Sequence, residues 1–173
     1  MMPARIAIAL AGALLLGGCG LQPMYAGGGK GVAGSALSDV AVAPIPDRAG
    51  WLVGNALTDR LGHPSGMPRY RLEVELDDKI EGYGVRADNS IARERRTLRA
   101  RYRLVAADKG TVLLDATAGA DVGIDAVVSE YATIAAEQSA LERLAPEIAD
   151  RIVMRVARYV LHQNRQAPAP ATR

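Results

Sequence analysis

The chain has 173 residues, a formal net charge of +2 and 49% hydrophobic residues. One cysteine excludes an internal disulfide framework, and two histidines leave little material for a His/Cys metal site. With one Trp and no Phe, platforms for stacking bases or sugars are scarce, and the small net charge gives no global field for a polyanion.

The chain opens Met1-Met2-Pro3-Ala4-Arg5, and from Ile6 to Leu16 it is almost all Ile, Ala and Leu. A basic start, an apolar run shorter than the roughly 20 residues a bilayer span needs, and small residues behind it have the layout of an export signal, here residues 1–18. The end of that run, Leu16-Gly17-Gly18-Cys19, resembles a bacterial lipoprotein lipobox. The resemblance implies that Cys19 becomes the first residue of the mature chain and carries the lipid. Gly20 follows it rather than Asp, which by resemblance to enterobacterial sorting rules implies the outer membrane. An exported protein is a poor candidate for nucleic-acid binding. Residues 19–36 include a glycine-rich run from Gly27 to Gly34, expected to be a flexible tether.

Residues 37–164 are expected to form the folded domain. A first strand falls on Val40–Ala43, closed by Pro44-Ile45-Pro46. Asp47 is the expected N-cap of a helix to about Leu61, with Gly50, Val53, Gly54, Leu57 and Leu61 on one stripe. The stripe glycines should let that helix approach a sheet closely, and Gly62 and Pro64 should stop it. From Tyr70 to Asp77 the chain alternates: Tyr70, Leu72, Val74 and Leu76 on one side, Arg71, Glu73, Glu75 and Asp77 on the other. A loop with Gly82, Gly84 and Asp88-Asn89 is expected next. The segment Thr97–Leu104 alternates again, with Leu98, Ala100, Tyr102 and Leu104 inward and Arg99, Arg101 and Arg103 outward. Asp108-Lys109-Gly110 reads as a tight turn into a strand from Thr111 to about Ala118, and Asp121, Gly123 and Asp125 as a polar loop. Ser129 should cap a last helix to about Gln163, with an apolar stripe from Tyr131 and Ile134 to Tyr159 that keeps its phase through Pro146, so one kinked helix is expected. Residues 165–173 read as a disordered tail.

This order predicts an α+β fold: a four-stranded mixed sheet with two helices packed on one face, β-α-β-β-β-α. The strand–helix–strand crossover favours parallel pairing of the first two strands, and the short later links favour antiparallel hairpins.

No catalytic constellation stands out. His63 and His162 have no carboxylate or cysteine at triad or ligand spacing, no Ser lies in a nucleophile elbow, and no Gly-rich loop cradles a phosphate. No cofactor is implied. The unusual feature is the density of arginine. Arg93, Arg95, Arg96, Arg99, Arg101 and Arg103 are six of eighteen arginines in the chain. A guanidinium fork binds phosphate or carboxylate through two hydrogen bonds, so a row of forks is a ladder of anion sites. Glu73, Glu75 and Asp77 on the preceding strand offer the competing account, cross-strand neutralisation of Arg99, Arg101 and Arg103. Arg93, Arg95 and Arg96 are expected in or near a loop without partners.

Taken together, Cys19-Gly20-x-x-Pro23-x-Tyr25, the element order, the paired alternating strands ending Ala100-Arg101-Tyr102-Arg103-Leu104, and Ser129-x-Tyr131-Ala132 opening a long Ala-, Leu- and Arg-rich helix resemble the LPS-assembly lipoprotein family LptE. The resemblance implies a non-enzymatic outer-membrane lipoprotein on the periplasmic side that plugs the LptD β-barrel, helps it assemble and binds lipopolysaccharide (LPS). Arg93, Arg95 and Arg96, then Arg99 and Arg101, are the candidate LPS contacts. Two other accounts fit a tethered α/β domain: an auxiliary lipoprotein of another envelope lipid-transport complex, and a lipoprotein hydrolase, for which a nucleophile–base pair is missing.

Overall fold

The structure, a computed structural model, describes residues 37–64, 66–85, 91–125 and 129–166. The signal segment, Cys19, the glycine-rich run, Asp88-Asn89 and the last seven residues lie outside the described residues. The elements are β1 (Val40–Val42), α1 (Asp47–Leu61), β2 (Tyr70–Val85), β3 (Ile91–Ala106), β4 (Val112–Asp125) and α2 (Glu130–Gln166). They form one sheet in the order β1-β2-β3-β4. β1 is parallel to β2, and the two later pairings are antiparallel. The α+β class, the element order and the mixed sheet are those read from the sequence.

The inward positions of the strands and the stripes of both helices form one apolar cluster. Leu72, Leu98, Leu104, Leu57, Leu144, Ile148 and Ile152 are fully buried in it. Each such side chain contributes about 1.5–3 kcal/mol over an exposed one, which is why period-2 and period-3.6 patterns decide the fold. Both helices cover the same sheet face, α1 over β1 and β2, α2 over β3 and β4. Exposed ion pairs tie the helices together: Arg48 to Glu142 at 3.3 Å and Arg60 to Asp150 at 2.5 Å.

Gly50 serves a contact other than the expected one. A Cβ there would meet the Ile45 carbonyl oxygen at 2.6 Å, so the glycine fits α1 against the β1–α1 connection, not against the sheet. Asp47 opens the helix without capping it: it sits at φ 67°, and no side-chain cap hydrogen bond forms. Gly62 stops α1 as expected, at φ 81°, with its N–H donating to the Thr58 carbonyl at 2.9 Å. Gly110 closes the β3–β4 turn at φ 67°, donating to the Ala106 carbonyl at 2.9 Å.

Four further expectations are corrected. β2, β3 and β4 each run well past the apolar alternation, so Gly82 and Gly84, Arg93 to Arg96, and Asp121 to Asp125 are strand residues, not loops. On β2 and β3 the backbone pairing continues past the core, whereas the added part of β4 runs over buried Ala120 and Ile124 and over Val122, which packs against the core. The α2 stripe also begins later than its sequence suggests: Tyr131 is 84% exposed and Ile134 44%, and continuous burial starts near Ala140. The strand surface on that side mixes the charged Asp78, Glu94 and Arg96 with Ile80, Val122 and Ile124, so the first two turns of α2 meet a broken apolar surface. α2 itself is one element through Pro146. Among the described residues, no helix is long and apolar enough to cross a membrane.

Candidate functional site

The sheet face opposite the helices is open, and its central strand is the arginine row. Register fixes the columns across β2, β3 and β4. Tyr83, Arg93 and Asp125 share one; Glu81, Arg95 and Gly123 the next; then Lys79, Thr97 and Asp121; Asp77, Arg99 and Gly119; Glu75, Arg101 and Thr117. Alternation puts Arg93, Arg95, Arg99, Arg101 and Arg103 on this open face. Arg96 has the opposite parity and lies on the helix side. The structure therefore brings four of the five candidate LPS contacts together and separates the fifth.

The expectation that Arg93, Arg95 and Arg96 lack partners is overturned. Arg93 Nε donates to Asp125 Oδ1 at 3.2 Å. Arg95 lies 3.7 Å from Asp121 and stacks over the Tyr83 ring, 5.4 Å from its centroid. Arg96 grips Asp78 through two hydrogen bonds, at 2.9 and 2.5 Å, and donates to the Glu137 carbonyl of α2 at 2.7 Å. Only 12% of its side chain is exposed, so Arg96 is a clamp between β2, β3 and α2. Asp121 and Asp125 lie on β4 beyond the expected strand end at Ala118, and Asp78 lies on β2 just past its expected end at Asp77. The alternation of Ala120, Val122 and Ile124 with Asp121, Gly123 and Asp125 carries the signal for the rest of β4.

Neutralisation of the row does occur, along diagonals more than along columns. Arg101 forks onto Asp115 at 3.2 and 2.8 Å. That hydrogen bond, together with the positive charge behind it, holds the Asp115 carboxyl below its ordinary range. Arg103 lies 3.3 Å from Glu73 and 3.5 Å from Glu75. Asp77, opposite Arg99, is taken by Lys79 at 3.1 Å. Arg99 is left with no ion pair among the described residues. It faces Gly119, where a Cβ would stand 3.6 Å from the Arg99 Cγ, so the missing side chain leaves room beside the guanidinium stem. A depression of about 480 Å³ surrounds it, walled by Glu75, Asp77, Arg101 and Thr117.

Under the first turns of α2 lies a second feature that sequence patterns did not flag. Glu94, on the helix side, has a buried carboxylate oxygen with no hydrogen-bond partner. Burial first, then the charge of Glu137, push its carboxyl above the ordinary value of 4.5. Among the described residues, no cluster of His, Cys, Asp or Glu is arranged to hold a metal ion.

The family model of LptE, described as lipopolysaccharide-assembly, matches residues 37–156, which is the whole folded domain up to the last turns of α2. The chain belongs to the LptE family. That family is one of lipopolysaccharide assembly and is not enzymatic. Several solved structures share the fold. A Caulobacter crescentus protein described as a lipoprotein is 27% identical, with 75% of this chain and 96% of that one covered and a TM-score of 0.61. Rare lipoprotein B of Shewanella oneidensis is 9% identical, with 72% and 96% covered and a TM-score of 0.58. A lipoprotein B of Nitrosomonas europaea is 10% identical, with 74% and 87% covered and a TM-score of 0.55. The last two likenesses are of fold alone. No curated protein matches the chain by sequence.

Proposed function

We propose that this LptE-family chain is the lipoprotein subunit of an outer-membrane LPS translocon. Residues 1–18 direct export, Cys19 carries the lipid on the periplasmic side, and residues 19–36 tether the α/β domain. The domain plugs the LptD barrel, assists its assembly and binds LPS. The family match over residues 37–156 carries the assembly role. The polar open face suits a barrel interior, which is itself polar.

For LPS, the supporting observation is Arg99: a guanidinium without an ion pair, in an open depression, flanked by Arg101 and in line with Arg95 and Arg93. Phosphates of the ligand engage Arg99 first. They then compete for Arg93 and Arg95, whose exposed pairs with Asp125 and Asp121 hold them by only about 0–1 kcal/mol each. Arg96 is structural in this account.

The test is LPS binding by the full-length protein in detergent. Replacing Arg93, Arg95, Arg99 and Arg101 together with Ala should weaken binding by about tenfold or more, since four charge-assisted contacts are removed. Unchanged binding would overturn the ligand assignment. Co-purification from membranes tests the partner separately: recovery of the LptD barrel supports the translocon role, and recovery of an inner-membrane complex instead refutes it.

A further inference from the structure

The outer edge of β4 lies one strand from Arg99, and Thr117, Ala118 and Gly119 border both the Arg99 depression and a groove along that edge. β4 is terminal in the sheet and fourteen residues long. Its backbone polarity follows from the hydrogen bonds at the turn. Ala106 N–H donates to the Thr111 carbonyl at 2.9 Å, so the even-numbered residues of β3 face β4. Register then pairs Tyr102 with Ala116, Ala100 with Ala118 and Leu98 with Ala120. In a strand, the N–H and C=O of one residue point to the same side. The backbone groups of Asp115, Thr117, Gly119 and Asp121 therefore point away from β3, along the free edge. Arg151 of α2 confirms this, since its guanidinium donates to the Gly119 carbonyl.

Native edges are commonly blunted by shortness, Pro, Lys or a covering element. This edge is long, has no Pro or Lys, and its middle is small: Ala116, Thr117, Ala118, Gly119, Ala120; Arg151 holds the Gly119 carbonyl from α2, a contact that an added strand replaces. Beside it runs a groove of about 570 Å³ between β4 and α2, lined on the helix side by Arg151, Met154, Arg155 and Arg158. Arg151 is paired with Glu147 at 2.6 Å, whereas Arg155 and Arg158 have no ion pair among the described residues. Their spacing from Arg151, four and seven residues along α2, places all three on one face.

We propose that the free edge of β4 takes up an extended acidic peptide segment as a fifth strand, with its acidic side chains laid against Arg155 and Arg158. Strand addition supplies affinity through main-chain hydrogen bonds and specificity through alternate side chains. The charges state the pattern. Side chains of the incoming strand on the helix side meet Arg155, Arg158 and Met154 and must be acidic or apolar. Those on the open side meet Asp115, Thr117 and Asp121 and must be neutral or basic. The same charges disfavour a second copy of this chain: a two-fold pairing of β4 with itself would bring the arginine rows of the two α2 helices toward each other, and the Asp115 and Asp121 side chains likewise. The proposal does not depend on the LPS assignment of the open face.

The experiment uses full-length protein in detergent and a fluorescein-labelled nine-residue peptide of alternating Thr and Glu. A peptide of similar composition with Glu and Thr in pairs, which spreads its acids over both faces, is the control. The alternating peptide should bind, and the control should bind about tenfold more weakly or not at all. Thr117→Pro removes one outward donor and leaves the β3 ladder intact, because an edge residue whose N–H faces solvent tolerates Pro. It should weaken binding about tenfold, as should Arg155→Glu with Arg158→Glu, which lies on exposed helix surface and leaves the fold untouched. Bound peptide should slow amide exchange at Thr117, Gly119 and Asp121. Equal binding of both peptides overturns the proposal. So does loss of binding in the arginine variant alone with Thr117→Pro unaffected, which would make the groove an anion site. A peptide-free dimer with protected β4 amides would also overturn it.

Discussion

Arg96 and Arg93 are three residues apart on one strand, yet their replacement by Ala should have unlike effects on stability. Arg96→Ala removes two hydrogen bonds to Asp78 and one to the Glu137 carbonyl. The pair is mostly shielded, with side chains 12% and 22% exposed. Breaking a fully buried pair by deleting one partner costs about 3–5 kcal/mol, because the other charge is stranded. Asp78 retains some water, and hydrogen bonds to charged groups are worth about 1.5–3 kcal/mol net, so a loss of about 2–3 kcal/mol is expected. Arg93, 64% exposed against Asp125 at 80%, should change stability by less than about 0.5 kcal/mol. Urea unfolding measures both, as a shift in midpoint at constant slope. Asp78→Ala combined with Arg96→Ala should cost much less than the sum of the two, since each removes the same pair. Arg96→Lys should not restore the clamp, because a point charge cannot fork onto Asp78 and reach Glu137 together. A loss below about 0.5 kcal/mol for Arg96→Ala, or strict additivity with Asp78→Ala, would refute the clamp.

Glu94 makes a pH prediction. Its carboxyl is raised above 4.5 by burial and by Glu137, so between the unfolded and folded values the native state holds more protons than the unfolded one. Stability from this group therefore falls as pH rises through that window. Glu94→Gln should raise the melting temperature at pH 7, and the gain should vanish well below pH 4.5; a pH-independent gain would show that charge is not the cause. Asp115 tests the opposite sign: Arg101→Ala should move its carboxyl back up toward 3.8, read by NMR titration of Asp115, and an unmoved titration would mean the fork does not persist in solution. Gly50→Ala should destabilise by about 1–3 kcal/mol in thermal unfolding, since the new Cβ meets backbone that cannot swing aside; a neutral effect would mean that α1 shifts freely over Ile45.

The parts of the fold that touch the core were legible. Tyr70 to Asp77 and Thr97 to Leu104 alternate because one face is buried, and α1 and the later part of α2 show helical stripes for the same reason. What was illegible lies where that cause is absent. Lys79 to Val85 and Ile91 to Arg96 pair as strands with little apolar surface beneath them, so the backbone ladder leaves no period-2 trace, and Gly82 and Gly84 imitate a turn. Tyr131 and Ile134 mislead in the other direction, as apolar residues in helical phase with the core but beyond its reach. The candidate site suffered from the same error: with the strands cut short, Arg93, Arg95 and Arg96 had no visible carboxylates, although Asp125, Asp121 and Asp78 are each in the sequence.

The completed strands change the electrical character of the open face. On β2, β3 and β4 its outward positions carry Arg71, Lys79, Arg93, Arg95, Arg99, Arg101 and Arg103 against Glu73, Glu75, Asp77, Glu81, Asp115, Asp121 and Asp125, seven of each sign. Such a face exerts little field beyond a Debye length of about 8–10 Å, so it does not draw in polyanions from a distance. Its selectivity is local. An anion arriving at most points must displace a carboxylate already in place. At Arg99 it displaces only water, because Lys79 has taken Asp77 and Gly119 offers no side chain. Recognition would then start at one guanidinium and spread outward by exchange of ion pairs. That sequence favours a ligand with several phosphates on a rigid frame over a single phosphate. A lone phosphate can occupy Arg99 but cannot recover the cost of opening the pairs on either side.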